Sequence, residues 1–443
     1  MGLSKLTLSA TMIFVSLFSI SFLAVQAQST DDSEVEVKDE VDVTDELDLK
    51  FAGALEFSDE GTLFVGDNYN GAIYAFEMDA DDMDAQSASG DIAPFTIGDI
   101  DVRIASILGV GPQAVEINDM VVHPISQEIF ISVSRIGGLA SVPAIVKVTP
   151  DGGITLLDLA SLSFTKQELA HYPDQETTFR PRGSMGDGPA PRDLAKGNVP
   201  LSSLAIMDMV YHEDELFVSG VAYDDFLSTL RRIPYPFDGT QTAASVEMYH
   251  IAHDQYETRA PIRAMSIQEI DGQDQLIAAY TCSPLVLVPL DEIVDGAKIA
   301  ANTIADIGNG QPLDMIPFTL NDPFSNIYDQ PMLFLTSNSR SPQVIPVGGL
   351  NGAQVVTDVD FERGPKLDLG PIIPFGPVGE PVMFDGAALH MALLGDDLFV
   401  SVTRDMWTGS LNLDANPTFF PSRLHNLHAE FDFPQYEFGG GGQ

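Results

Sequence analysis

Residues 57–67 read Phe-Ser-Asp-Glu-Gly-Thr-Leu-Phe-Val-Gly-Asp, and residues 72–77 continue Ala-Ile-Tyr-Ala-Phe-Glu. A polar turn leads into a short apolar run that ends on small and acidic residues, and a second short run follows. Apolar runs of this length, bounded by Gly, Asp and Asn, read as strands rather than helices.

The pair recurs along the chain. Further second strands are Ile129–Ser134 (IFISVS), Leu216–Gly220 (LFVSG), Leu276–Thr281 (LIAAYT), Met332–Ser337 (MLFLTS) and Leu398–Thr403 (LFVSVT). Third strands follow at Ala144–Thr149, Thr229–Ile233, Leu285–Leu290 and Gln343–Val347, with a less regular one near Leu411. A first strand precedes each pair, and five of the six copies place a methionine at one repeat position: Met120, Met209, Met265, Met315 and Met391. The first copy, Gly53-Ala54-Leu55, lacks it. This is the mark of an internal repeat whose units bury their faces on one another. A methionine repeated on an inner strand reads as packing against the next unit rather than as a soft-metal ligand.

The expected fold is all-β: a β-propeller of six four-stranded antiparallel blades. Seven blades is the alternative if residues 160–200 conceal one, and a sandwich or two-domain chain is the other. Because Thr165 to Pro200 is polar and rich in Pro and Gly, the segment 161–200 reads as a long excursion between blades. The 57–67 motif, continued by Ala72-Ile73-Tyr74-Ala75-Phe76, resembles the blade core of NHL-repeat and SMP-30/gluconolactonase-like propellers. That resemblance covers one blade well and the others loosely. It implies the fold and, through the SMP-30-like members, a divalent metal held in the channel by acids and amides from different blades.

The ends carry a different message. Lys5, the apolar stretch Leu6 to Val25 and the small residues of Ala24-Val25-Gln26-Ala27 form the three parts of a secretory signal, with cleavage expected after Ala27. The expected location is therefore the periplasm or the exterior, with no membrane insertion of the mature chain. Residues 28–50 carry ten acids and no aromatic, which reads as a disordered acidic arm. The propeller is expected over 51–438, and 439–443 is a glycine tail. The formal charge of −44, from 21 Lys+Arg against 65 Asp+Glu, repels phosphate backbones and anionic lipid and excludes nucleic acid as a partner. Cys282 is the single cysteine, so no intramolecular disulfide forms.

In a propeller the inner strand starts, and the second strand ends, at the same rim of the channel. That rim is expected to collect Arg135, Arg263, Arg340, Arg404, Asp405 and Asn338, a guanidinium-rich set suited to an anionic or zwitterionic ligand. Asp67, Asn118, Asp119, Asp208 and Asp314 offer hard oxygen ligands, and calcium is the cofactor such a set would take. His390 starts an inner strand as well. His123 and His212 follow inner strands and read as turn residues at the opposite rim. No nucleophile elbow, phosphate loop or dinucleotide fingerprint occurs, so no catalytic residue is assigned.

Three functions fit these features. The first is an exported binding module, a monomer that holds a small molecule or protein segment at the rim. The second is a calcium- or zinc-dependent lactonase or hydrolase of the SMP-30-like type, and the third a subunit of a larger exported complex. The export signal yields a direct prediction. Intact-mass and N-terminal sequencing of the secreted protein should start at Gln28, and material that keeps residues 1–27 would overturn the cleavage reading.

Overall fold

The computed structural model describes residues 46–78, 92–135, 142–149, 151–179, 199–222, 227–251, 254–258, 260–281, 283–307, 311–322, 326–338, 342–357, 380–381, 387–405 and 407–418. The signal segment, most of the acidic arm and the glycine tail lie outside these residues, as do Cys282 and Arg340.

Among the described residues the strands group into six antiparallel four-stranded units, two of them joined in one sheet, numbered here by the chain order of their inner strands. Blade 1 starts with Leu55–Phe57, blade 2 with Val115–Val122 and blade 3 with Asp208–His212. Blades 4, 5 and 6 start with Ile262–Ile270, Pro312–Asp322 and Ala387–Leu394. Each inner strand lies at the edge of its four and touches the inner strands of two other blades. Those contacts close into a ring of order 1–3–4–5–6–2 and back to 1. The chain is a β-propeller by this arrangement.

The middle strands carry apolar residues on both faces because both faces are covered. Leu63–Asp67 and Ala72–Phe76 are buried at every position, and Ile129–Arg135 at all but its last. The core is accordingly not central. It consists of six apolar clusters, one between each pair of neighbouring blades. Met209 packs with Phe64 and Ile73 between blades 1 and 3, Met265 with Phe217 between 3 and 4, and Met315 with Ile277 between 4 and 5. Met391 joins Phe334 between 5 and 6, Met120 joins Val400 between 6 and 2, and Leu55 joins Phe130 between 2 and 1. The repeated methionine, or its leucine counterpart, is thus the inner-strand residue shared by every interface. Each such side chain contributes about 1.5–3 kcal/mol by burial.

Four features add to the expected architecture. Blades 3 and 4 are not separate: Ser245–Met248 pairs in parallel with Lys298–Ala301 and fuses them into one nine-stranded sheet. Counted by continuous hydrogen bonding, the large sheets number five among the described residues. The 161–200 segment is not wholly an excursion, because Phe164–Glu168 pairs with Ala72–Phe76 as the outer strand of blade 1. Phe95–Ile97 likewise pairs with Leu413–Ala415 and completes blade 6 with a strand from near the start of the chain. It leads into the helix Ile100–Leu108, which buries Ile100 and Ile104 in the cluster between blades 6 and 2. Finally, the last residues of the acidic arm are ordered: Leu47 and Leu49 pack on the cluster between blades 1 and 2.

Gly220 shows how tightly blade 3 meets its entry segment. A Cβ there would lie 2.1 Å from the Ala205 carbonyl oxygen. That oxygen also accepts a hydrogen bond from Nη1 of the fully buried Arg231 at 3.2 Å, so it has little freedom to retreat. Gly220→Ala should therefore cost about 1–3 kcal/mol by overpacking. Chemical denaturation with an unchanged midpoint would refute the contact.

Candidate functional site

At the centre of the ring the regular strand pattern breaks. The register of four inner strands slips against their neighbours: between Ile117 and Asp119, between Ile262 and Ala264, between Pro312 and Met315, and between Ala388 and His390. Bulges of this kind re-aim side chains. Here they fall beside Asn118, Asp119, Arg263, Asp314 and His390, which line one open cavity of about 250 Å³ together with Asn68, Glu116 and Asp208.

Three aspartates in this cavity share one geometry. Asp119 accepts hydrogen bonds from the N–H of Met120 at 2.8 Å and, across to blade 1, of Leu55 at 2.7 Å. Asp208 accepts from Met209 at 2.9 Å and, in blade 4, from Met265 at 2.7 Å. Asp314 accepts from Met315 at 2.8 Å and, in blade 6, from Met391 at 2.7 Å. Each carboxylate binds the amide after itself and the equivalent amide of the next blade. The three recipient blades carry Ala54, Ala264 and His390 at the aspartate's position. His390 Nδ1 lies 3.7 Å from Asp119 Oδ1 and links blade 6 to blade 2. Asn68 links blade 1 to the entry of blade 3, its Nδ2 donating to the carbonyls of Ser203 and Ile206 at 2.8 and 2.9 Å.

The acids keep some accessible surface in the cavity, yet they sit deep in the protein and feel one another. Burial, reinforced by the charges of Asp314 and Asp119, raises the Asp208 carboxyl well above the usual range. Burial and the Asp119 charge push Asp314 up to about 7. Glu56, beside them on the blade 1 inner strand, is pushed up to about 8 by burial, with the Phe57 amide opposing. Such a cluster accepts hydrogen bonds, stores protons and favours positive charge in its midst.

The expected site residues separate on this geometry. Asn118, Asp119, Asp208 and Asp314 come together in the cavity, as does Arg263. Asp67 does not line it: fully buried, it accepts hydrogen bonds from the amides of Lys50, Tyr69 and Asn70 and from the Asn70 side chain, a turn-forming role. Of the arginines expected at the rim, Arg263 alone among the described residues lines the cavity, and Arg340 lies outside the described residues. Arg135 ends the second strand of blade 2 outside the cavity lining, and Arg404 is exposed, donating to the Gly409 carbonyl at 2.9 Å. Asp405 caps its own turn by accepting from the amides of Trp407 and Thr408, and exposed Asn338 accepts from the Gln311 amide. Acids therefore outnumber arginines in the cavity lining.

As for a metal, no three His, Cys, Asp or Glu side chains of the cavity bring ligand atoms within 4.8 Å of one another. Among the described residues that spacing occurs at His212, Glu213 and Asp274, at hairpin turns away from the cavity. His123 has the expected turn role, Nδ1 accepting from the amides of Ile125 and Ser126. Glu116 is a lining acid that no repeat position or motif of the sequence marks, whereas Glu56 stands out in the sequence as an acid on the first inner strand.

The fold and cavity define a β-propeller with a polar, acid-lined centre. No protein-family model matches the chain, so the likeness to NHL-repeat propellers in blade 1 has no counterpart there, and no curated protein matches. Among solved structures, the β-propeller domain of Myceliophteria thermophila Cps50 (Swd1) is similar at 9% identity and a TM-score of 0.31, over 84% of this chain and 99% of that one. Chaetomium thermophilum Raptor is similar at 10% identity and a TM-score of 0.31, over 82% of this chain and 28% of that one.

The raised carboxyls fix the direction of a pH effect. A carboxyl titrating higher in the folded than in the unfolded state adds stability that is complete below its ordinary pKa. That stability is lost as pH rises through the folded value. The windows run from 3.8 to about 7 for Asp314 and from 4.5 to about 8 for Glu56. Thermal unfolding should shift upward by at least about 2–4 °C, the equivalent of ~1 kcal/mol, as pH falls from 8 to 5. Asp314→Asn should flatten the slope. A midpoint that falls over this interval would contradict the cluster's electrostatics.

Proposed function

We propose that this protein is a binding module whose central cavity takes a small polar ligand. One observation carries the reading: four inner strands break register at the cavity and turn polar side chains into it. The apolar clusters between blades already hold the ring, so packing alone gives no reason to gather acids at its centre. The buried acids instead oppose one another, and a ligand that satisfies them offsets that opposition. Binding sites of this kind combine a concave scaffold with a few convergent polar groups.

The reading includes export to the periplasm or beyond, supported by the signal-like residues 1–27 and suited to a strongly acidic chain. Affiliation with NHL-repeat and SMP-30-like propellers belongs to the same proposal and rests on the 57–67 motif. Binding rather than turnover is the activity put forward.

A thermal-shift screen of the mature protein against small amines, amino acids, carboxylic acids and sugars tests it. A ligand at one hundred times its Kd adds ~2.7 kcal/mol of stability. At least one class should stabilise the parent by several degrees and leave His390→Ala unmoved. Absence of any shift across the screen, or equal shifts in the variant, would overturn the cavity as the site.

A further inference from the structure

We propose that the ligand of the central cavity is a small organic cation carrying several N–H donors, an amine, amidine or guanidine. This rests on the cavity's being a ligand site. The lining is dominated by acceptors. Asp119, Asp208 and Asp314 each spend one hydrogen bond per oxygen on backbone amides, and a carboxylate offers about four acceptor positions, so each keeps about half of its capacity. Asn68 supplies an independent indication. It lines the cavity and is only 4% exposed; both its Nδ2 bonds go to backbone carbonyls, and its Oδ1 has no hydrogen-bond partner. A buried acceptor without a donor costs stability, and a small turn of the Asn68 amide toward the cavity would let a ligand N–H remove that cost.

The spread of the acceptors selects among cations. A calcium ion gathers six to eight oxygens at about 2.3–2.6 Å. Here no three carboxylate or imidazole side chains of the cavity bring one ligand atom each within 4.8 Å of one another. Acceptors dispersed around a ring suit donors dispersed over a molecule, as in a guanidinium with five N–H groups or an ammonium with three.

Every inner strand brings a charged or titratable group to this centre. Glu56 comes from blade 1, Glu116 and Asp119 from blade 2, Asp208 from blade 3, Arg263 from blade 4, Asp314 from blade 5 and His390 from blade 6. Acids prevail even with Arg263 and His390 counted. Because Asp314 titrates near 7, an entering cation displaces a proton there, and binding tightens as pH rises. Arg263 competes with such a ligand for the acids.

Isothermal titration of the mature protein with agmatine and 1,4-diaminobutane, beside citrate and calcium chloride, at pH 6 and 8 tests the assignment. Two buffers of different protonation enthalpy read the protons released. The amines should bind, with affinity about tenfold higher at pH 8 for one displaced proton. Asp314→Asn should weaken binding by about tenfold and reduce proton release. Arg263→Gln should tighten amine binding severalfold, and it remains informative should Asp314→Asn fail to fold. Citrate or calcium binding that His390→Ala abolishes, with the amines inert, would overturn the cation while leaving the cavity as a site. A folded protein that binds none of the four probes would overturn both.

Discussion

The hydrogen bond from one blade's aspartate to the next blade's backbone amide is the interaction on which the centre of this propeller depends. Each inner strand is an edge strand, with no neighbouring ladder to take up its inward amides. A carboxylate with two oxygens answers that need twice, once in its own strand and once across the gap. Asp119, Asp208 and Asp314 do so in alternate positions around the ring, and so tie the blades in three pairs: 2 with 1, 3 with 4, and 5 with 6. Two pairs carry a second tie, Ser132 Oγ to the Gly53 carbonyl at 2.7 Å and Ser219 Oγ to the Ile262 carbonyl at 3.3 Å. The sixfold repeat is therefore threefold in its polar chemistry.

That solution creates the site. Three carboxylates that serve as ties are all brought to one largely buried centre, where their charges repel. Their amide bonds stabilise the ionised form, yet burial prevails for Asp208 and Asp314. Holding the ring and being receptive to positive charge are two results of one arrangement. The apolar clusters between blades carry the larger share of stability, so the centre can remain polar.

Much of this was legible in the sequence, and the remainder was hidden for identifiable reasons. Second strands such as Leu63–Asp67 and Leu398–Arg404 announced themselves because full burial on two faces demands an unbroken apolar run. The methionine repeat was legible because one position meets the same neighbour in every blade. Outer strands were not: Phe95–Ile97 and Phe164–Glu168 are short, partly exposed and paired with segments far away in sequence, so local pattern says little about them. Strand ends place a residue on a rim without saying how far from the axis it stands. Arg404 and Asn338 therefore seemed to face the channel that Arg263 alone among the described arginines lines. The bulges that turn Asn118 and Arg263 inward depend on pairing register, which composition does not reveal.

The strand that completes blade 6 has a consequence in time. Phe95–Ile97 is made early, but its partner Leu411–Pro417 lies more than three hundred residues further on. Blade 1 waits in the same way for Phe164–Glu168. Nascent chain therefore cannot mature one blade after another in the order of synthesis. Two early segments must stay unpaired until later ones appear, and the ring becomes a single cooperative object only when nearly all of the chain is present.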